Sequence, residues 1–242
     1  MVLPTLTPAG YLWPASGGVK INPNVGVIRG LFYDGDAYYN SLQTQVSKQM
    51  GRGFQAQASY TFSRNIDTGT AGVAGDTFAN SIPGLLWFNM ALNRGLSDLN
   101  VSHNLVVSYT WTLPSPRASS AIAFLANGWQ LGGIYSARTG IPFSAQIAGD
   151  PLGQGSDHAY DTPNLLTGPG CSSLVNPGNP NNYIKTQCFA FPNPKNLRGN
   201  AGRNILVGPG LSDLDFSLFK NNRITRISEA STFSSGLKFS TY

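Results

Sequence analysis

Two cysteines, Cys171 and Cys188, and two histidines, His103 and His158, are the side chains in this sequence most capable of chemistry. Both cysteines lie in one Pro/Gly/Asn-rich stretch, Gly168 to Pro194. Two thiols in a single irregular segment suit a disulfide that closes a surface loop in an oxidising compartment. A pair of free thiols in a reducing compartment is the other reading. A metal site is disfavoured, because the cysteines are not spaced CxxC and neither histidine stands at ligand spacing from them. His158 shares a loop with Asp150, Asp157 and Asp161. Three loop carboxylates could hold calcium, but they do not follow the EF-hand spacing, so solvated charges are expected there. Gly199-Asn200-Ala201-Gly202-Arg203 resembles a phosphate-cradling loop only superficially, since no Lys-Ser/Thr pair follows; it reads as a turn before the last strand. His103 opens a strand with no nucleophile, base and orienter around it in sequence, which suits a polar contact at a rim. No catalytic residue, cofactor or metal is therefore expected, and the chain does not read as an enzyme.

Composition narrows the classes further. Charged residues make up 11 % of the 242, well below the usual quarter, and 28 Gly and 16 Pro punctuate the chain with turns. Ten Tyr and four Trp argue against disorder, which lacks aromatics. The net charge of +5 is scattered rather than clustered, so no nucleic-acid partner is expected. No run of about 18 apolar residues is present, which excludes a transmembrane helix. No charged-then-apolar leader opens the chain.

The elements that must carry these residues are read from their period. Residues 1–37 look irregular, with Pro4, Pro8, Pro14 and Pro23. From Tyr38 to Met50, Leu42 and Val46 fall on even positions between Gln43, Gln45 and Ser47. After Gly51-Arg52-Gly53, the residues Phe54, Ala56, Ala58, Tyr60 and Phe62 alternate with Gln55, Gln57, Ser59 and Thr61. A strict period of two predicts two strands joined by a tight turn. His103 to Leu113 places Leu105, Val107, Tyr109, Trp111 and Leu113 opposite Ser108, Thr110 and Thr112. Trp129, Leu131 and Tyr135 alternate with Gln130, Ser136 and Arg138, and Thr139 to Phe143 reads as a continuation. Leu214, Phe216 and Leu218 alternate with Asp213, Asp215 and Ser217. Leu85 to Leu92 within the first long connection reads as a short helix or a buried loop segment.

The result is an all-β chain, an antiparallel up-and-down meander of about five strands, each long enough to cross a tilted bilayer. Alternation alone fits two architectures. In a soluble sandwich the apolar face is the core; in a membrane barrel it meets lipid and the polar face lines a wet lumen. Connection lengths favour the barrel. Gly51–Gly53 and Pro114–Gly128 are short, whereas Asn65–Asn104 and Ala148–Leu211 run to roughly 40 and 60 residues, which fits short turns on one rim and long extracellular loops on the other. On this reading Phe54, Tyr60, Phe62, Leu105, Val107, Tyr109, Trp111, Trp129, Leu131, Tyr135, Leu214, Phe216 and Leu218 face lipid. The alternative is a secreted β-sandwich binding module of carbohydrate-binding type.

Four ordered phrases carry a family resemblance: Tyr39–Asp67 (YNSLQTQVSKQMGRGFQAQASYTFSRNID), Arg94–Pro114, Gly128–Ala145 and Leu197–Asn221. Together they resemble Oar-like TonB-dependent transporters, outer-membrane receptors, over most of residues 20–227. The resemblance implies a plugged barrel of about 22 strands that imports a bulky nutrient with energy delivered through TonB. It implies outer-membrane lipid, the TonB system and an unknown nutrient as partners, and an extracellular position for the Cys171–Cys188 loop. It further implies that this chain is a C-terminal fragment: 1–37 a loop segment, 38–227 a partial barrel, and the signal peptide, plug and remaining strands outside it. About five strands cannot close such a cylinder. The end departs from the family. Residues 228–242 show no clear period, and Glu229–Tyr242 can be encoded so that a shifted frame restores a period-two strand. An out-of-frame tail is expected there.

Overall fold

The computed structural model describes residues 3–15, 22–26, 34–51, 53–69, 86, 88–116, 120–153, 161–223 and 232–241. Among them thirteen strands occur. They are β1 Thr5–Thr7, β2 Gly10–Leu12, β3 Ala37–Met50, β4 Phe54–Asp67, β5 Gly95–Leu96, β6 His103–Thr112 and β7 Trp129–Arg138, then β8 Pro142–Phe143, β9 Asn164–Leu165, β10 Phe189–Ala190, β11 Leu206–Val207, β12 Leu211–Arg223 and β13 Thr232–Thr241. One α-helix, α1, spans Ser120–Ala126. The chain divides into two compact units, 41–63 with 101–139 and 210–242, and 1–40 with 64–100 and 140–209.

The first unit is built on a meander in chain order, β3-β4-β6-β7-β12-β13; β5 pairs the last two residues of β4, Ile66 and Asp67, which belong to the other unit. Every pairing given for the meander is antiparallel. Period-two residues explain why these segments pair: β4 sets Phe54 opposite Trp111 and Phe62 opposite His103, so each apolar residue meets a same-face partner. The sheet is open among the described residues. None of the buried hydrophobic side chains lies in this unit; Trp13, Leu86, Ile147, Leu152, Cys188, Leu197, Ala201 and Leu206 all belong to the other.

That second unit has its own core. Trp13, Leu86 and Leu152 pack together with Tyr11, Phe88 and Leu92 around them. The Trp13 and Phe88 rings meet edge-on with centroids 6.1 Å apart. Trp13 is drawn in through the backbone: its N–H donates to Asn196 O at 2.9 Å, and Arg198 N–H donates to Tyr11 O at 2.9 Å.

Several expectations require correction. The opening segment is not irregular throughout, because β1 and β2 form a hairpin that delivers Trp13 to a core. The strand ending at Arg138 does not continue through Phe143. Pro142 has no N–H for a ladder, and Pro142–Phe143 instead pairs with Leu206–Val207 in a separate two-stranded sheet. A Cβ on Gly140 would lie 2.0 Å from Gly208 O, so only glycine permits the chain to turn away there. The short connection Pro114–Gly128 holds a helix that period reading did not detect. Within Leu85–Leu92, Leu86 is buried and a 3₁₀ turn, Met90–Asn93, begins; Leu85 and Trp87 lie outside the described residues.

At the end of the chain the number of strands changes. Thr232–Thr241 forms a strand paired along its whole length with β12, from Arg223↔Thr232 to Leu214↔Thr241. The meander therefore has six long strands rather than about five. Leu237 and Phe239 stand opposite Leu218 and Phe216, while Lys238 stands opposite Ser217, so this segment carries the same alternation as its partner. Residues 224–231 and Tyr242 lie outside the described residues.

Candidate functional site

The site is a surface rather than a cleft. Register places all thirteen residues expected on the apolar face of the sheet on one side. Across β4, β6, β7 and β12 the rows read Phe54–Trp111–Leu131–Leu218, Ala56–Tyr109–Gly133–Phe216 and Ala58–Val107–Tyr135–Leu214. Further on, Tyr60 and Leu105 align with Ala137 and Ser212, and Trp129 pairs with Lys220 at the other end. Tyr109 lies over Gly133, where a Cβ would come within 2.7 Å of the ring, so glycine makes room for an aromatic on a flat surface. This side is not sealed by other atoms: Phe62 is 47 %, Trp111 39 %, Leu214 44 % and Phe239 59 % exposed. A β-sandwich would bury these side chains against a second sheet, and among the described residues none covers them. That exposure favours the barrel reading over the sandwich.

The opposite side carries the charge. Gln55, Gln57, Ser108, Thr110, Gln130, Asp213, Asp215 and Ser217 share it by register, as does Lys238, whose Nζ lies 3.8 Å from Asp215 Oδ2. An open hollow of about 300 Å³ lies here, lined by Ser47, Lys48, Gln49, Gln55, Gln57, Ser108 and Thr110 among others. Val106, Ile134, Leu211 and Phe219 are exceptions to the alternation, apolar on the polar side.

Aromatic residues with polar partners mark one rim. Tyr60 Oη lies 2.8 Å from His103 Nδ1, and the Tyr60 and Phe62 rings lie against the imidazole. Ser212 Oγ donates to Tyr135 Oη at 3.1 Å. His103 thus makes the polar rim contact its sequence position suggests. From Phe54 to Phe62 is eight strand steps, about 27 Å along the strand, which a tilted crossing shortens to a height of roughly 20 Å.

The unit with its own core holds the charges that sequence reading misplaced. Gly199–Arg203 is no mere turn: Arg203 is 6 % exposed and its Nη1 lies 2.5 Å from Asp67 Oδ1. The same guanidinium donates to Asp67 O at 3.0 Å and Asn93 O at 3.2 Å, and its Nη2 is 3.6 Å from Asp98 Oδ1. Asn204, whose φ of 55° suits asparagine, donates from Nδ2 to Leu96 O at 2.7 Å and to Asp98 Oδ1. No sequence motif marks this cluster, because its members come from three separated stretches, 67, 93–98 and 203–204.

Asp161 is likewise not a solvated loop charge, being 3 % exposed; Asp157 and His158 lie outside the described residues. Burial, then the nearby Asp150 carboxylate, push its pKa up to about 6, against a weaker opposing pull from the Leu152 backbone N–H. The folded pKa is raised, so this group's contribution is complete below about pH 4 and is lost as pH rises through about 6. Asp161→Asn is expected to match the parent at pH 4 and to exceed it in loop stability at pH 7.5. Hydrogen exchange at the two pH values checks this; an equal difference at both would sink it.

Cys171 and Cys188 are joined by a disulfide across a sequence separation of 17, with Cys188 wholly buried. Lys185 Nζ donates to Gly170 O at 2.9 Å inside the same loop. A cross-link of this span is worth about 3 kcal/mol by loop closure. The Cys171→Ser/Cys188→Ser variant should therefore be cut by trypsin after Lys185 far faster than the parent. Unchanged cleavage would show that the loop is held without its bridge. Among the described residues no cluster of metal-binding side chains occurs.

An open antiparallel meander with one apolar and one charged face, short connections at one rim and long ones at the other, is the wall of an outer-membrane β-barrel. The family model described as outer membrane beta barrel domain matches residues 7–233. The chain belongs to that family, and its place is the bacterial outer membrane. No curated protein and no solved structure matches it.

Proposed function

We propose that the chain is part of the wall of an outer-membrane TonB-dependent receptor that imports a bulky nutrient, with the apolar face toward lipid and the polar face toward the lumen. The observation that carries the orientation is the placement of charge. Asp215 lies in a central row of one side, with Asp213 and Lys238 two residues from it in either direction, while the apolar side has His103 and Lys220 only in its end rows. A charge on the lipid side at mid-depth costs about 2–4 kcal/mol, whereas lumen residues are hydrated. The four ordered phrases from Tyr39 to Asn221 support the receptor assignment, as does a long-loop unit with its own core and disulfide, suited to holding an extracellular loop rigid. The lumen side offers amide and hydroxyl groups, which fit a hydrated passage.

Uptake by a strain lacking the protein tests the receptor reading. Loss of one bulky nutrient, reproduced by removing TonB and by a protonophore, is the expected result. A loss indifferent to both would point to a passive barrel instead.

A further inference from the structure

We propose that helix α1 is a membrane anchor lying in the interfacial layer of the periplasmic leaflet, beside the barrel wall. The inference rests on the lipid-facing assignment of the apolar face, and goes beyond it. Helix Ser120–Ala126 contains no charged residue, and it exposes Ile122 at 59 %, Phe124 at 60 % and Leu125 at 67 %. It lies in a connection at the short-turn rim, the periplasmic end of such barrels.

Two side chains tie the helix to the apolar face rather than to the lumen. Lys220 pairs with Trp129 one step beyond the Leu218–Leu131 pair, so both sit on the lipid side. The Trp129 Nε1–H donates to Leu125 O at 2.9 Å. Lys220 Nζ donates to Phe124 O, Leu125 O and Asn127 O at 2.8, 3.0 and 2.9 Å, and lies 4.9 Å from the Trp129 ring centre. The ammonium has three N–H donors, and all three are spent on carbonyls at the end of α1. Its charge also opposes the negative end of the helix dipole. A helix end satisfied in this way can enter a layer where water is scarce. Trp and Lys at a bilayer interface, with an apolar helix continuing the lipid-facing surface, identify the occupant as phospholipid.

A fluorophore sensitive to polarity, attached to cysteine in Phe124→Cys, tests the anchor in the full chain reconstituted in phosphatidylethanolamine/phosphatidylglycerol vesicles. Cys171 and Cys188 are bonded to each other, so only the new thiol reacts. Emission should be lost to a lipid spin-labelled near the headgroup, less to one labelled deep in the chain, and not to aqueous iodide. Ile122→Cys gives a second position should the first fail to fold. Val107→Cys, at the middle of the apolar face, reports separately on the wall. Quenching by lipid at Val107 together with iodide quenching at both helix positions overturns the anchor and leaves the wall intact. Shielding from iodide without quenching by lipid would mean that a protein covers α1, and also overturns it. Iodide access at Val107 overturns the lipid-facing reading, and the anchor falls with it.

Discussion

Arg203→Met is expected to destabilise the loop unit by about 3–5 kcal/mol, because it removes a guanidinium that two buried carboxylates share. Arg203 contacts both Asp67 and Asp98 while all three are nearly inaccessible. One positive and two negative groups give the trio a formal charge of −1, which the substitution turns to −2. The guanidinium also satisfies the carbonyls of Asp67 and Asn93, so two backbone acceptors lose a donor at the same step. Lysine should not substitute well: one ammonium cannot reproduce a planar fork that reaches four acceptors. Close backbone contact leaves little slack, since a Cβ on Gly95 would lie 2.5 Å from Arg203 O. Hydrogen exchange at residues 93–98 should rise sharply in Arg203→Met. Adding Asp67→Asn and Asp98→Asn should recover a large part of the protection, because it removes the stranded charge. Protection unchanged in the single variant would show that the cluster contributes no net stability.

How legible these features were depends on the distance over which each is decided. Phe54–Arg64 and His103–Thr112 are set by neighbours two positions away, so their period gives both their form and their faces, and register then follows from matching apolar sides. Arg203 is different. Its acceptor on Asp67 is 136 residues away, and in sequence it ends a glycine-rich string that resembles a turn. Asp161 looks like any loop carboxylate until Ile147 N–H donates to its backbone oxygen and its surroundings enclose it. Helix α1 spans seven residues, too few for a helical period to be read, and its end is capped by Lys220 from more than 90 residues onward. Strand β13 was missed for another reason. Ser235 falls where an apolar residue would have continued the run from Leu237 and Phe239, which blurs the period, yet pairing with a well-defined β12 fixes the register. Lys238, reaching toward Asp215, supports that register from the polar side.

Adjacent residues at the centre of β6 should respond in opposite ways to the same charge. Val107 lies in the row Ala58–Val107–Tyr135–Leu214, midway between the Trp111 and His103 rows, and Ser108 lies in the row Gln57–Ser108–Ile134–Asp215 on the other side. Val107→Arg should cost about 2–4 kcal/mol, the range for a cation on the lipid side at mid-depth. Ser108→Arg places the same side chain toward water and within the field of Asp215, so its effect should stay within about 0.5 kcal/mol. The two positions share strand, depth and backbone pairing, which cancels propensity and leaves the medium as the difference. Urea unfolding of the protein in phospholipid vesicles reads both values. A large loss at Ser108 with none at Val107 would invert the wall, placing the charged side of β12 against hydrocarbon. Equal losses would mean that neither side meets lipid, because a sheet with water on its polar face cannot resist the cation there as strongly as a bilayer does.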